Sequence, residues 1–500
     1  MGVEAVTLRR LADLAASTQH VNLILVGDAP VDDRPLDDLH VDSRTVTPGS
    51  VFVAVRGDQR DGHDLVADAV AAGAIAVVVE HPVPVEVSQL VVTDTRRLLG
   101  PLAAEVHGHP GRRMTMVGIT GTNGKTTVSY LLAAMVAAAG RAPGVIGTIG
   151  ASIDGEPLPI GFTTPEAPEL QRLLRRMADA GVEVVAMEVS SHALALGRVD
   201  ALRFAVAAFT NLSQDHLDFH GDLERYFAAK ARLFEPARSA AAVVAVDDAW
   251  GRRLAAEITI PVTTVGFAGD ADLGVDHLEL TAAGGRMAVR AGGAGFEVPL
   301  PLAGRFNAVN TLVAIGCAAA IGISGDAIGR GLATMGPVSG RFERVECGQD
   351  FTVVVDFAHT PEAIGTMVAA ARGLTAGRVI AVAGAGGNRD RAKRPLMGRA
   401  LAAADLAVIT SDNPRHEDPD AIIAEVTAEL DATATSAVRV EPDRRRAIAA
   451  AVAAAGAGDV VLILGKGHET GQDTAGVVTP FDDRVVAAEE LTRRLGTERA

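Results

Sequence analysis

The chain has 500 residues, a formal charge of −16 and 48% apolar residues, with aromatics at only 3%. That length suits about three domains, and a core of small aliphatics favours α/β layers. The acidity excludes a general nucleic-acid binder, which needs a basic surface, while leaving room for local sites that take small phosphorylated ligands. Cys317 and Cys347 have neither metal-ligand spacing nor the number for a disulfide framework, and MGVEAVTLRRLADLAAS at the start lacks the apolar core of a signal peptide. A reducing, cytoplasmic setting is therefore expected. The longest apolar stretch, Thr311 to Gly325, falls short of the roughly 20 residues of a membrane span and reads as a buried helix.

Residues 1 to about 110 read as a small α/β unit. Thr7 to Ala16 is amphipathic, with Leu8, Leu11, Leu14 and Ala15 on one face. Ser50 to Val55 reads as a strand, and Asp61 to Glu80 as a helix, a break at Gly73 and a strand from Ala74 to Val79. Asp42, Ser43 and Arg44 precede the first of these strands, where Asp and Ser are ordinary turn residues. HGHPGRR, His107 to Arg113, reads as a linker.

Met114 to Ile119, GTNGKTT (Gly121 to Thr127) and Val128 to Ala139 then read as strand, glycine-rich turn and helix. Such a turn aims backbone N–H groups at one point, backed by the positive end of the helix dipole. Lys125 can reach a terminal phosphate, and Thr126 offers a hydroxyl for magnesium. The strict phosphate-loop pattern wants glycine where Ile119 stands, so this is a shortened variant.

Strands at Val182 to Val189, Phe204 to Phe209 and Ala241 to Val246 continue a mostly parallel sheet, whose C-terminal edge is where ligands bind. Glu188 sits near the end of an apolar strand, which is costly unless it is paired or faces a cation. Asp215, His216 and Asp218 follow the next strand. Two readings stay open: a magnesium site facing a triphosphate, or a helix N-cap beside a core histidine. Asn307 and Asn310 lie at the start of an Ala-rich helix, where capping is the plain reading. Gly336-Pro337, just before SGRFERV, marks a second domain boundary.

The last third repeats the α/β rhythm, with strands at Phe351 to Asp356, Arg378 to Ala383, Leu406 to Thr410 and Val460 to Leu464. Each runs into a polar stretch: DFAHTP, GAGGNRDRAKRP, SDNPRHEDP and GKGHETGQ. Four such ends on one sheet edge exceed what turns require. Arg389, Arg391, Lys393, Arg394 and Arg415 bring positive charge there, pointing to anionic groups.

GTNGKTT, EVSSHAL, TNLSQDHLDFHG, YFAAKARLF, GRFNAVN, SGRFE and VDFAHTPEA occur in that order. Together they resemble the Mur ligase family, ATP-dependent amide ligases that build the peptidoglycan stem peptide. DNPR, Asp412 to Arg415, resembles the branch that adds meso-2,6-diaminopimelate rather than lysine. The resemblance implies three α/β domains: 1–110 for the uridine-nucleotide substrate, 111–337 as a central phosphate-loop ATPase domain, and 338–500 as a Rossmann-like domain for the amino acid. It implies that ATP drives addition of meso-diaminopimelate to the D-Glu γ-carboxylate of UDP-MurNAc-L-Ala-D-Glu through an acyl phosphate, in a cytoplasmic monomer without a membrane span or a nucleic-acid partner.

The resemblance also implies roles for particular residues. Gly121, Thr122, Asn123, Gly124, Lys125, Thr126 and Thr127 cradle phosphates. Thr126, Glu188, His216 and Lys230 surround Mg2+, with Lys230 carbamylated by carbon dioxide to N6-carboxylysine. On residues alone Lys230, in a predicted helix from Tyr226 to Phe234, reads as a solvent lysine. Asn307 contacts adenine, and Arg341 and Asp356 contact ATP phosphate and ribose, with His359 beside them. Val41, Ser43, Asp58, Gln59, Arg60, Thr163, Thr164, Ser190 and Arg198 match contacts to the UDP-substrate. Arg389, Asp412, Asn413, Pro414, Arg415, Gly465 and Glu469 match contacts to diaminopimelate, with Arg415 expected to be buried and bidentate on the distal carboxylate. Phe162 and Leu196 depart from asparagine and glutamine found in some members. A lysine-adding ligase, a folylpolyglutamate synthetase-like ligase and a non-catalytic nucleotide-binding protein are the alternatives.

Overall fold

The computed structural model describes residues 6–24, 34–57, 60–430 and 437–498; Asp58 and Gln59 lie outside them. The chain forms three α/β sheets in succession, plus one small hairpin. The first sheet comprises β1 (Val21–Ile24), β2 (Leu39–His40), β3 (Val51–Val53), β4 (Ala76–Val79) and β5 (Ser88–Val92), in the order β1-β5-β4-β3-β2. Strands β2 to β5 run parallel, and β1 pairs antiparallel with β5. The amphipathic helix Leu8–Ala16 is capped by Thr7, whose hydroxyl accepts the Arg10 N–H. It packs Leu8 and Leu11 with Val51, Val53, Leu99 and Leu102. The stretch after Asp61 holds less helix than its pattern suggests. A 3-10 turn, Gly62–Leu65, comes first, and the helix covers only Val66–Ala71. Gly73 makes the break at φ +112°, where a Cβ would press against Pro48 at 2.9 Å.

The central sheet has eleven strands: β6 (Thr115–Thr120), β7 (Pro143–Gly147), β8 (Gly150–Ile153), β9 (Glu156–Leu158), β10 (Val184–Glu188), β11 (Phe204–Phe209), β12 (Ser239–Ala245), β13 (Val262–Gly266), β14 (Leu273–Thr281), β15 (Gly284–Ala291) and β16 (Ala294–Leu300). Their order is β16-β15-β14-β13-β12-β11-β6-β10-β7-β8-β9. The middle is parallel, with β6 between β10 and β11. These are the continuous apolar runs that sequence reading finds, because both faces are buried. Helices Lys125–Ala138 and Arg305–Ala320 bury Leu131, Leu132, Met135, Leu312 and Ile315 against one face. The antiparallel extensions β7-β8-β9 and β14-β15-β16 escape that reading. Apart from the buried, glycine-flanked β7, most of their residues are exposed or half-buried, so no apolar run marks them. Asn307 and Asn310 lie inside the helix and do not cap it, since Gly304 occupies the N-cap.

The third sheet comprises β17 (Glu343–Arg344), β18 (Thr352–Asp356), β19 (Val379–Ala383), β20 (Leu406–Ile409), β21 (Val438–Val440) and β22 (Val460–Leu464), in the order β17-β18-β22-β19-β20-β21. All but β17 are parallel, so the polar ends of β18, β19, β20 and β22 share one edge. A hairpin of β23 (Gly471–Thr474) and β24 (Val477–Pro480) follows, and the backbone of Arg415 bridges to Thr474. Among the described residues no helix is long and apolar enough to cross a membrane.

Candidate functional site

The C-terminal edges of the second and third sheets face each other across one cleft of about 810 Å3. The loop after β6 enters it with two glycines in conformations that suit no other residue. Gly121 has φ +143° and Gly124 φ +87°, and a Cβ would collide with Thr210 Oγ1 at the first and Asn310 Oδ1 at the second. The helix Lys125–Ala138 starts immediately after Gly124 and has no side-chain cap, so its free N–H groups stay directed at the cleft. The loop is braced from below: Asn211 Oδ1 accepts the Asn123 N–H at 2.9 Å, and Thr210 Oγ1 donates to Asn123 O at 2.6 Å. Lys125 Nζ donates to the carbonyls of Gly121 and Thr122 at 3.0 and 2.9 Å. Desolvation lowers its pKa.

Glu188, at the end of β10, is 1% exposed. Its carboxylate accepts from Thr126 Oγ1 (2.8 Å), Thr148 N (2.8 Å) and Thr148 Oγ1 (2.9 Å). The Thr126 hydroxyl also accepts from Arg341 Nη2 at 3.1 Å. The glycine-rich loop after β6, β10 and the third sheet's segment thus meet at one hydroxyl. Arg341 lies over the ring of Phe357 at 4.6 Å. Asp356 accepts the N–H groups of Phe342 and Ala358, and burial raises its pKa.

His216 follows β11 at φ +55°, at the N-cap of the short helix Leu217–His220 but with no side-chain cap bond; its side chain is 46% exposed and lines the cleft, which removes the core-histidine reading. Desolvation, with His192 and the Lys125 charge nearby, brings its pKa to about 4 despite Asp215. Burial works to raise the Asp215 carboxyl, but His359, His216 and Lys393 bring it down to about 2.

Lys230 overturns its reading as a solvent lysine. The helix spans Leu223–Ala231, with Arg232–Phe234 a 3-10 turn, and it buries Lys230 to 1% exposure. Its Nζ donates to Gly121 O at 2.8 Å and lies 4.5 Å from the centre of the Tyr226 ring. Desolvation, then repulsion from Lys125, pushes the amine well below its usual range, toward the neutral form. Among the described residues no group of three or more His, Cys, Asp or Glu could hold a metal. Thr126, Glu188 and His216 supply one carboxylate between them, and an anionic oxygen on Lys230 would supply the second.

The remaining sequence candidates divide. Thr163, Thr164, Ser190 and Arg198 line the cleft. Thr164 Oγ1 donates to Glu188 O at 2.9 Å, and Arg198 donates to Thr164 O (2.9 Å) and Glu166 (3.0 Å). Asn307 lines it too, with Nδ2 on Ala303 O at 2.7 Å. Arg389, Asp412, Asn413, Arg415, Gly465 and Glu469 line the opposite wall. Val41, Ser43 and Arg60 are not in the lining, and Pro414 faces a second, smaller pocket. Asp42 accepts the Arg44 N–H at 3.0 Å, which is the turn chemistry its sequence suggests.

The basic edge needs correction. Arg394 is fully buried and bonded to Glu417 and Glu425, and Arg391, though exposed, pairs with Glu425; neither lines the cleft. Arg415 is half-buried rather than buried; it sits at φ +51° with Nη1 on Gly387 O at 2.8 Å.

Sequence reading missed Thr148 and Lys466. Thr148 belongs to the tight β7–β8 turn and lacks any local signal. Lys466, flanked by two glycines in GKGHETGQ, is fully buried and donates to Asn413 Oδ1 (3.1 Å) and Glu469 Oε2 (3.0 Å). Burial works to raise the Glu469 carboxyl; Lys466 and Asn413 bring it below its usual range.

The family model for the Mur ligase middle domain matches residues 119–318, that for the Mur ligase glutamate ligase domain 340–467, and that for the Mur ligase family catalytic domain 37–107. The UDP-N-acetylmuramoyl-L-alanyl-D-glutamate–2,6-diaminopimelate ligase of Streptomyces coelicolor is 47% identical over 91% of this chain and 92% of its own length. The protein of the same name from Geobacillus thermodenitrificans is 43% identical over 91% and 95%. A solved structure bearing that name is 31% identical, with a TM-score of 0.69 over 98% of this chain and all of its own. Folylpolyglutamate synthase from Mycobacterium tuberculosis, solved with ADP and AMPPCP, shares the fold at 21% identity and a TM-score of 0.61 over 80% of this chain and 94% of its own.

Proposed function

The chain belongs to the Mur ligase family, and from that premise we propose an ATP-dependent ligase that joins meso-2,6-diaminopimelate to the D-Glu γ-carboxylate of UDP-MurNAc-L-Ala-D-Glu in the cytoplasm. Residues 1–110 take the uridine substrate, 111–337 ATP, and 338–500 the amino acid. One observation carries this reading: the phosphate loop and the DNPR loop line the same cleft.

A carboxylate does not react with an amine at neutral pH, because its oxygen is a poor leaving group. The γ-carboxylate oxygen therefore attacks the γ-phosphorus, and ADP leaves. The amine then attacks the acyl carbonyl, gives up its proton and displaces phosphate. The protein supplies positioning and charge. N–H groups of Gly121 to Thr127 and the Lys125 ammonium hold the β- and γ-phosphates. Arg341 brings a second cation to the same phosphates, beside Thr126. Asn307 faces the adenine and Asp356 the ribose, with His359 alongside. Thr163, Thr164, Ser190 and Arg198 orient the acceptor peptide, and Val41, Ser43 and Arg60 hold its nucleotide. Asp412, Asn413 and Glu469 take the ammonium of the incoming amino acid, Arg389 and Arg415 its carboxylates, and Gly465 leaves it room.

Thr126, Glu188, His216 and Lys230 fit magnesium once Lys230 carries a carboxylate. Burial pushes Lys230 toward the neutral amine, the form that adds carbon dioxide and releases a proton. Magnesium, when bound, offsets the repulsion between triphosphate and carboxylate.

The test is phosphate release from ATP with the UDP-dipeptide and diaminopimelate, lysine or no amino acid. Release with diaminopimelate alone is expected. Equal release with lysine would refute the specificity, and none under any condition would leave a nucleotide-binding protein.

A further inference from the structure

Arg444 lies outside the cleft lining, yet it is one of the largest fully buried side chains in the molecule. It opens the helix Arg444–Ala454, whose N-cap is Asp443. Its guanidinium forks onto Asp483, the first residue of the helix Asp483–Glu498: Nε donates to Oδ1 at 2.8 Å and Nη2 to Oδ2 at 2.6 Å, with both side chains fully buried. A buried ion pair is a poor source of stability compared with apolar packing. What this one does besides is bridge two loops. Nη2 donates to Leu464 O at 2.9 Å, and Nη1 reaches Ser411 O at 3.4 Å.

Those two carbonyls immediately precede Gly465 and Asp412. Strands β20 and β22 are not neighbours; β19 lies between them, so their ends stand about 9–10 Å apart, and past the last ladder bond no sheet pairing holds the two loops together. The loops nevertheless touch, since a Cβ on Gly465 would lie 2.5 Å from Asp412 Oδ2. The Asp412 carboxylate accepts no hydrogen bond from the protein among the described residues. Its position is therefore set by its backbone, which Gln472 Nε2 holds at Asp412 O (2.6 Å), Arg444 holds from the residue before, and Asn413 holds from the residue after through Lys466 (3.1 Å) and Glu469 (2.8 Å).

We infer that Arg444, locked by Asp483, is a positioning residue for the amino-acid site: it fixes the loop bearing Asp412 against the loop bearing Gly465 and Glu469. The inference rests on the reading of that wall as the diaminopimelate site. A lysine cannot replace it, because one ammonium cannot span a carboxylate and two carbonyls at once.

The test compares Arg444→Lys, Asp483→Asn and Asp412→Asn by steady-state kinetics with each of the three substrates, alongside thermal melting. Arg444→Lys and Asp483→Asn are expected to raise KM for diaminopimelate at least tenfold. KM for ATP and for the UDP-dipeptide should stay within twofold, and kcat at saturating diaminopimelate should be largely kept. A role in stability alone would lower the melting temperature and the active fraction without this split. An unchanged diaminopimelate KM in both variants, while Asp412→Asn raises it, overturns the inference and leaves the site standing. An unchanged KM in Asp412→Asn overturns the site reading itself. A parallel rise in all three KM values, or unfolding of both pair variants, marks the pair as a general stability element and also overturns the inference.

Discussion

Lys230→Met separates catalysis from stability at one residue. In the folded protein the lysine is a buried amine with one hydrogen bond, to Gly121 O at 2.8 Å. Burial pushes its pKa down, and among the described residues it makes no ion pair whose loss would leave a stranded partner. Methionine is likewise unbranched and one atom shorter. The change removes about one net hydrogen bond, worth roughly 1 kcal/mol, and relieves the desolvation of a polar nitrogen, so unfolding free energy should move by no more than about 1 kcal/mol either way. Activity should respond quite differently. On the proposed carbamate reading the change would remove one of two anionic oxygen donors around the phosphates, and comparable electrostatic losses lower kcat by about 10²–10³-fold, or roughly 3–4 kcal/mol. Urea unfolding and phosphate release measure the two quantities on the same preparation. Lys230→Ala leaves space for a small carboxylate, and short-chain carboxylates should restore part of its rate. Labelled carbon dioxide should give a carbamate carbon signal in the native protein that is absent from Lys230→Met. Full activity in Lys230→Met, or a stability loss above about 3 kcal/mol, the signature of a broken buried ion pair, would refute the reasoning.

Arg415→Ala should reduce the preference for diaminopimelate over lysine on the order of 10–100-fold, since a half-buried charged hydrogen bond contributes about 1.5–3 kcal/mol; an intact preference in competition assays would reassign the distal carboxylate. Gly124→Ala forces a side chain into a left-handed backbone against Asn310, costing about 1–2 kcal/mol; ATP titrations should show a raised KM, and unchanged affinity would remove the loop from the phosphates. At the contact between Asp38, just before β2, and the helix Ala167–Asp179, burial works to raise the Asp38 carboxyl, but His107, the Leu39 N–H and Arg172 bring it down to about 2. A carboxyl depressed on folding contributes stability in full above its unfolded pKa of about 3.9 and loses it as pH falls toward 2. The contribution is on the order of 2 kcal/mol, so Asp38→Asn should be less stable at pH 6 and lose less than the parent between pH 4 and pH 2 in urea titrations.

The chemistry of the strand ends is local, and the sequence by itself determined it. An apolar run of five or six residues between polar loops can bury both faces only inside a parallel sheet, which is why β6, β10, β11, β18, β19, β20 and β22 can be drawn from residues alone. Two glycines around Thr122 and Asn123, followed by Lys-Thr at a helix start, point to a phosphate-binding turn for the same local reason. The half-exposed strands β14, β15 and β16 could not be read so, because their many exposed positions carry polar and small residues that dilute the apolar signal. What a charged side chain does was decided only by tertiary structure. Arg391 and Arg394 look like the cations of a ligand site, yet Glu417 and Glu425, more than twenty residues away, take them up. Lys230 looks like solvent decoration until its helix folds onto a loop 109 residues earlier in the chain. Arg444 carries no motif at all. Whether such a group is solvated, paired or poised for chemistry depends on which remote segments remove its water, and the chain around it does not encode that.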